Sequence, residues 1–221
     1  MRLTWPEAAG LHDCEVTLAN GDAARFTLAL PPTRTADTPL VLVLHYGGEP
    51  HGFYGRPLVE MLAMPAWPGL GAVYIAPVAR GGDWQQARNR DFALALLHAT
   101  EAQYGTSTAR RLLLGYSLGA IGTWHLLACE PALFAAAVPL AGPGPALEGP
   151  LTTPVHAINS TTDHIFPVAD TTRALTALQA GGAPVAWTLL EGVDHFAVPR
   201  FAAALAALEP WVSAQRRTQP G

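Results

Sequence analysis

Over residues 16–30, Val16 and Leu18 alternate with polar neighbours, Asn20-Gly21 follows, and Phe26, Leu28 and Leu30 alternate again. That pattern predicts a β-hairpin with a type I′ turn at Asn20-Gly21, so the regular structure begins with antiparallel strands. Beyond a Pro- and Thr-rich loop the pattern changes. Residues 40–44, 72–76 and 112–114 are unbroken aliphatic runs, which suit strands covered on both faces at the centre of a parallel sheet. Helices are expected over 58–63 and 91–104. In the second, Asp91 would cap, Phe92, Leu96 and Ala99 share a face, and Gly105 stops the helix. Further strands are expected at 136–140, 155–158 and 185–190, with a helix over 168–180 ending at Gly181-Gly182 and a closing helix over about 200–215. A leading hairpin followed by repeated strand-helix units predicts an α/β fold: a mixed, mostly parallel sheet with helices on both faces. No repeat or linker divides the chain, which reads as one domain over residues 1–221, with "AGPGPALEGPLTTP" as a surface loop.

Composition narrows the partners. Half of the residues are hydrophobic and 14% are charged, below the usual share of about 25%, so the interior is large for the length. The net charge is −4, all 13 cationic side chains are Arg, and no basic run exceeds the pairs Arg110-Arg111 and Arg216-Arg217. This leaves no electrostatic footprint for nucleic acid or an anionic membrane, and favours a small, near-neutral ligand. The first residues lack the apolar core of a signal peptide, and no run approaches the ~18 apolar residues of a membrane span, so a cytoplasmic protein is expected. Cys14 and Cys129 are far apart and outside any CxxC, which points to two reduced thiols.

The chemistry centres on Gly115-Tyr116-Ser117-Leu118-Gly119, directly behind an aliphatic run and ahead of a helix-like segment. At such a junction the turn holds the serine in a strained conformation, and glycines on either side remove side chains that would strike the neighbouring strand and helix. A serine hydroxyl needs a base, and the base an orienting acid. Asp163 follows the strand at 155–158 and His195 the strand at 185–190, which sets both at the edge of the sheet that carries Ser117. Asp170, at or inside a helix start, and Asp194, adjacent to His195, are rivals for Asp163; a helix cap is its alternative role.

These features resemble the α/β-hydrolases, in particular the small carboxylesterase, phospholipase-like and dienelactone-hydrolase-like branch. "LVLVLHYGG", "LLLGYSLGAIGTW", "INSTTDHIFP" and "GVDHF" stand in the order of that family between about residues 39 and 211. The resemblance implies the α/β-hydrolase fold, a Ser117, Asp163, His195 triad, and an oxyanion hole from the backbone N–H groups of Leu118 and Gly47. It departs at His45-Tyr46-Gly47-Gly48, where the family usually has His-Gly-x-Gly and this chain has Tyr46 at the first glycine. The implied reaction is hydrolysis of carboxylic esters of small to medium substrates through an acyl-enzyme, with no metal or organic cofactor. Only a dozen residues separate Gly142 from the strand at 155, where many relatives insert a helical cap, so an open site without a large cap domain is expected.

Tyr46, Trp84, Phe166 and Phe196 are candidates for substrate binding, with Phe53, Tyr54 and Trp124 as further aromatics near the expected edge, and packing as the alternative role for each. Arg80 reads as solvent-facing, with a substrate carboxylate as its other possible partner. His45 reads as structural, and His51, His125 and His164 lack the spacing of metal ligands. Two other functions compete with the esterase: a serine peptidase or amidase of the same fold, and a non-catalytic ligand-binding homologue.

Overall fold

The computed structural model describes residues 4–18, 20–144 and 150–217. Its strands are β1 (Gly10–Thr17), β2 (Ala23–Leu30), β3 (Leu40–Leu44), β4 (Val73–Pro77), β5 (Arg111–Tyr116), β6 (Ala136–Leu140), β7 (Val155–Ser160) and β8 (Val185–Leu190). Among the described residues these form one sheet in the order β1-β2-β4-β3-β5-β6-β7-β8. β1 pairs antiparallel with β2 and β2 antiparallel with β4, and every later pairing is parallel.

The aliphatic runs behave as their composition requires. In β3, Leu40, Leu42 and Leu44 enter one apolar layer while Val41 and Val43 enter the layer on the opposite face. In β5, Leu113 joins the first layer, and Leu112, Leu114 and Tyr116 the second. Both faces of the central strands are therefore dry, which explains their unbroken apolar sequence.

The longer helices are α3 (Ala87–Tyr104), α4 (Leu118–Cys129) and α5 (Val168–Ala180); shorter ones are α1 (Arg56–Leu58), α2 (Met64–Ala66), α6 (Ala202–Ala206) and α7 (Glu209–Ala214). β3, β6, β8 and α5 have the expected bounds, and Gly105, at φ 64°, ends α3.

Four expectations are corrected. The hairpin turn is longer than a two-residue type I′ turn, since Thr17 pairs with Ala23 and the Asn20 side chain holds the Asp22 N–H at 3.1 Å. α3 begins at Ala87, so Asp91 lies inside it. Asp83 takes the entry role instead, its Oδ1 accepting the Gln85 and Gln86 N–H groups at 3.0 and 3.1 Å. The helix expected over 58–63 is part of a longer helical stretch that includes a π turn, Val59–Ala63, ahead of Pro65, whose ring and missing N–H disfavour a regular last turn. The closing helix is broken into a 3-10 turn (Val198–Phe201), α6 and α7, with Pro210 in the first turn of α7, where no N–H is required. Of the loop after β6, residues 145–149 lie outside the described residues.

The chain turns from β3 to β4 on one side and to β5 on the other, which leaves a crevice at the C-terminal ends of β3 and β5.

Candidate active site

Four strand ends supply the site. β5 runs into Ser117, β7 is followed by Asp163, β8 by His195, and β3 by His45, Tyr46 and Gly47. Ser117 has φ 56° and ψ −114°, a conformation that costs a non-glycine residue on the order of 1–3 kcal/mol. The flanking glycines make the turn possible. A Cβ on Gly115 would collide with the Gly119 carbonyl and the Thr123 hydroxyl, and one on Gly119 would collide with the carbonyl of Leu44.

The Ser117 hydroxyl lies 2.9 Å from His195 Nε2, and His195 Nδ1 lies 2.7 Å from Asp163 Oδ2. An ionised carboxylate only accepts, so Nδ1 carries the proton and Nε2 is free to accept from the serine. Asp163 Oδ1 accepts the Ile165 and Phe166 backbone N–H groups, both at 2.8 Å. Both Asp163 and His195 are buried, which keeps water from competing for these bonds.

The histidine loop is tied down from two sides. Tyr116, facing the same apolar layer as the loop, donates its hydroxyl to the His195 carbonyl at 2.7 Å, and Thr162 donates to the Val193 carbonyl at 3.1 Å. Burial, with Asp163 nearby as a smaller cause, raises the Tyr116 phenol well above its ordinary range, so it stays a donor at any working pH. Sequence reasoning assigned Tyr116 no role, although it adjoins the serine. Its position two residues past Leu114 on β5 is the signal that its side chain shares that inward face.

On the β3 side, His45 is buried and bonded at both nitrogens. Nδ1 lies 2.7 Å from the Tyr46 carbonyl, and Nε2 lies 3.0 Å from the Ala79 N–H. Because Nε2 must accept from an amide, the proton sits on Nδ1 and the ring is neutral. Burial lowers its pKa to about 4, against a smaller upward effect of the Tyr46 carbonyl. In a trans peptide the C=O and N–H point opposite ways, so a Tyr46 carbonyl held by His45 turns the Gly47 N–H away from it. Tyr54 fixes the next peptide by donating to the Gly47 carbonyl at 3.1 Å. A Cβ on Gly47 would lie 3.6 Å from the Leu118 side chain, so the two residues expected to supply backbone N–H groups stand against each other. Leu118 opens α4, where first-turn amides have no helical acceptor.

A cavity of about 560 Å³ lies over this row, lined by Ser117, His195, Gly47 and a mostly apolar wall that includes Tyr46, Tyr54 and Phe196. Not every expected aromatic reaches it. Trp84 is buried with its indole N–H on the His45 carbonyl at 2.9 Å, and its side chain fills the space beside Gly122 behind the site. Trp124 is in the core and Phe53 is outside the lining. Phe166 sets its ring edge-on to His195, centroids 5.5 Å apart, without lining the cavity. Arg80 is neither a free cation nor a carboxylate clamp, since it bonds Asp22 at 3.1 Å and the Arg88 carbonyl at 3.3 Å. Ile165 and Val198 do line the cavity; neither carries a motif that marks it in sequence. Of the rivals to Asp163, Asp170 bonds Arg173 at 2.9 Å, and Asp194 lies 3.6 Å from His164. Among the described residues, no group of three or more His, Cys, Asp or Glu side chains is arranged to hold a metal ion, and no helix is long and apolar enough to cross a membrane.

No protein-family model matches the sequence, and no curated protein matches it. Solved structures do. A thermostable esterase superposes with a TM-score of 0.77 at 18% identity over 94% of this chain, and this chain spans 63% of that esterase's length. An S-formylglutathione hydrolase from Staphylococcus aureus gives 0.72 at 14% identity over 92% of this chain and 98% of the other. An acylaminoacyl peptidase from Pyrococcus horikoshii gives 0.70 at 13% identity over 98% of this chain and 43% of its own length. With the sheet order and the antiparallel β1 and β2, these likenesses define the class: the chain has the α/β-hydrolase fold. At such identities the likeness is one of architecture, and the residues of this chain must carry the chemistry.

Proposed function

We propose that the protein is a serine hydrolase that cleaves carboxylic esters of small to medium substrates through an acyl-enzyme. The observation that supports it best is the row Ser117, His195, Asp163, bonded at 2.9 and 2.7 Å and opening on the cavity. In this reading His195 takes the Ser117 proton as the serine attacks the ester carbonyl, and the N–H groups of Leu118 and Gly47 receive the developing oxyanion. His195 then gives its proton to the leaving alcohol, and the acyl-enzyme is hydrolysed by water that His195 activates in turn. Asp163 holds the imidazole in the tautomer that can accept.

The test is labelling with a fluorophosphonate probe followed by mass spectrometry of the adduct. Labelling at Ser117 that is lost in Ser117→Ala and His195→Ala is expected; a folded wild-type protein that stays unlabelled would move the non-catalytic reading to the front. The likeness to a peptidase fold motivates a second reading, amide hydrolysis. An ester and an anilide of one acyl group separate the two, and an ester rate at least about 10³-fold faster is expected, because amide cleavage leans harder on leaving-group protonation.

A further inference from the structure

Among the described residues, the cavity over Ser117 is lined without a fixed charge. Apart from His195, its titratable lining groups are the phenols of Tyr46, Tyr54 and Tyr116. Burial raises the Tyr46 and Tyr116 phenols, with Tyr54 a smaller cause for Tyr46 and Asp163 for Tyr116, so both stay un-ionised at neutral pH.

Two cations of the neighbouring loops are engaged elsewhere. Arg56 bonds Asp13 at 2.9 Å and Glu60 at 3.2 Å, and Arg80 bonds Asp22. Arg200, two residues beyond the lining residue Val198, is exposed and lines none of the cavity. The formal charges beside His195 are acids: Asp163 behind it, and Asp194 next in the chain. At the mouth stand two apolar side chains that the fold leaves in water, Ile165 at 44% exposure and Phe196 at 70%. A substrate covering them removes apolar area from solvent.

We infer that this site selects neutral esters with apolar groups on either side of the scissile bond and rejects esters that carry a carboxylate within the cavity. The inference rests on the hydrolase reading above. A carboxylate drawn between phenol rings and aliphatic side chains loses hydration with no cation in the described lining to replace it, beside two acids that repel it.

A matched pair tests this: methyl 4-acetoxybenzoate, which is neutral, and 4-acetoxybenzoate, which differs by one anionic group remote from the reacting carbonyl. Each kcat/KM is divided by that ester's own hydroxide-catalysed rate, which removes the difference in leaving-group reactivity. The anion is expected to be slower by on the order of 10²-fold. Ile165→Arg, at an exposed position that tolerates a long side chain, is expected to raise the anion-to-neutral ratio at least about tenfold by supplying the missing cation. Rates within threefold for the two esters, or a ratio unmoved by Ile165→Arg, would overturn the inference. Should neither ester be hydrolysed while the fluorophosphonate still labels Ser117, the substrate class is wrong and the hydrolase reading survives. Without hydrolysis or labelling, both fall.

Discussion

Asp163→Asn changes the site by less than one atom's bulk, and the surroundings of Asp163 dictate how the amide must sit. Oδ1 accepts two backbone N–H groups, from Ile165 and Phe166, each at 2.8 Å. Only the carbonyl oxygen of an asparagine can take that place, so its NH₂ faces His195 Nδ1. Two donors cannot meet there. The imidazole then moves its proton to Nε2, which points at Ser117 as a donor and no longer accepts the serine's proton. Loss of tautomer control of this kind costs about 10⁴-fold in kcat, equivalent to about 5.4 kcal/mol of barrier. Asp163 is outside the cavity lining, so KM should move by less than about threefold. The assay is initial-rate hydrolysis of phenyl acetate, with fluorophosphonate labelling as a second readout and the melting temperature as a control. Asp163→Asn should melt close to the parent, because both backbone donors keep an acceptor, whereas Asp163→Ala strands them and should melt lower. An Asp163→Asn variant that retains more than a hundredth of the parental kcat would refute the assignment of Asp163 as the orienting acid.

Three other outcomes are expected. Tyr116→Phe removes the donor to the His195 carbonyl and should lower kcat by about tenfold, measured on the same ester, because the loop it ties down carries His195; that loop also carries the lining residues Phe196 and Val198, so KM should rise with it. His45, with its folded pKa lowered to about 4 from 6.5, favours the neutral form when folded, so its contribution is fully present above pH 6.5 and is lost as pH falls toward 4. Urea unfolding at pH 7 and pH 4.5 should show about 2–3 kcal/mol less stability at the lower pH from this group, and His45→Gln should flatten that part of the profile. Cys14 is buried with its thiol raised to about 11, chiefly by burial and secondarily by Asp13, while Cys129 is exposed, so a disulfide reagent should titrate one thiol in the native protein and two in denaturant.

Much of this fold is legible in the chain because its central strands are covered on both sides. A run such as Leu40–Leu44 has no polar position to blur its limits, and α5 ends where Gly181-Gly182 interrupts it. The entry of α3 is not legible in the same way. It depends on Asp83 gathering amide donors and on the buried Asn89, whose Nδ2 donates to the Gly81 and Asp83 carbonyls at 3.1 and 2.8 Å, and these are tertiary arrangements without a periodic signature. At the candidate site, Ser117, Asp163 and His195 stand in recognisable surroundings, each within five residues of the end of a strand. The cavity wall does not. Trp84 and Phe196 are both large aromatics close to expected strand ends, yet one is 1% exposed behind the elbow and the other 70% exposed at the mouth. Which face of a loop an aromatic takes is set by what packs beneath it, here Gly122 under Trp84, and no local pattern encodes that.

The four strand ends that meet at the site differ in how firmly they are anchored. Ser117 and Gly47 hang from β5 and β3, at the middle of the sheet, whereas His195 follows β8, which among the described residues is an edge strand paired on one side and mostly half-buried. Edges of sheets open before centres do. Fraying of β8 would therefore carry His195 away from Ser117 while the strained turn at Ser117 and the N–H groups beside it stayed folded. Inactivation of this protein by heat or denaturant would begin as a local, reversible event at one margin of the sheet, and activity would report on that margin before any probe of the core registered a change.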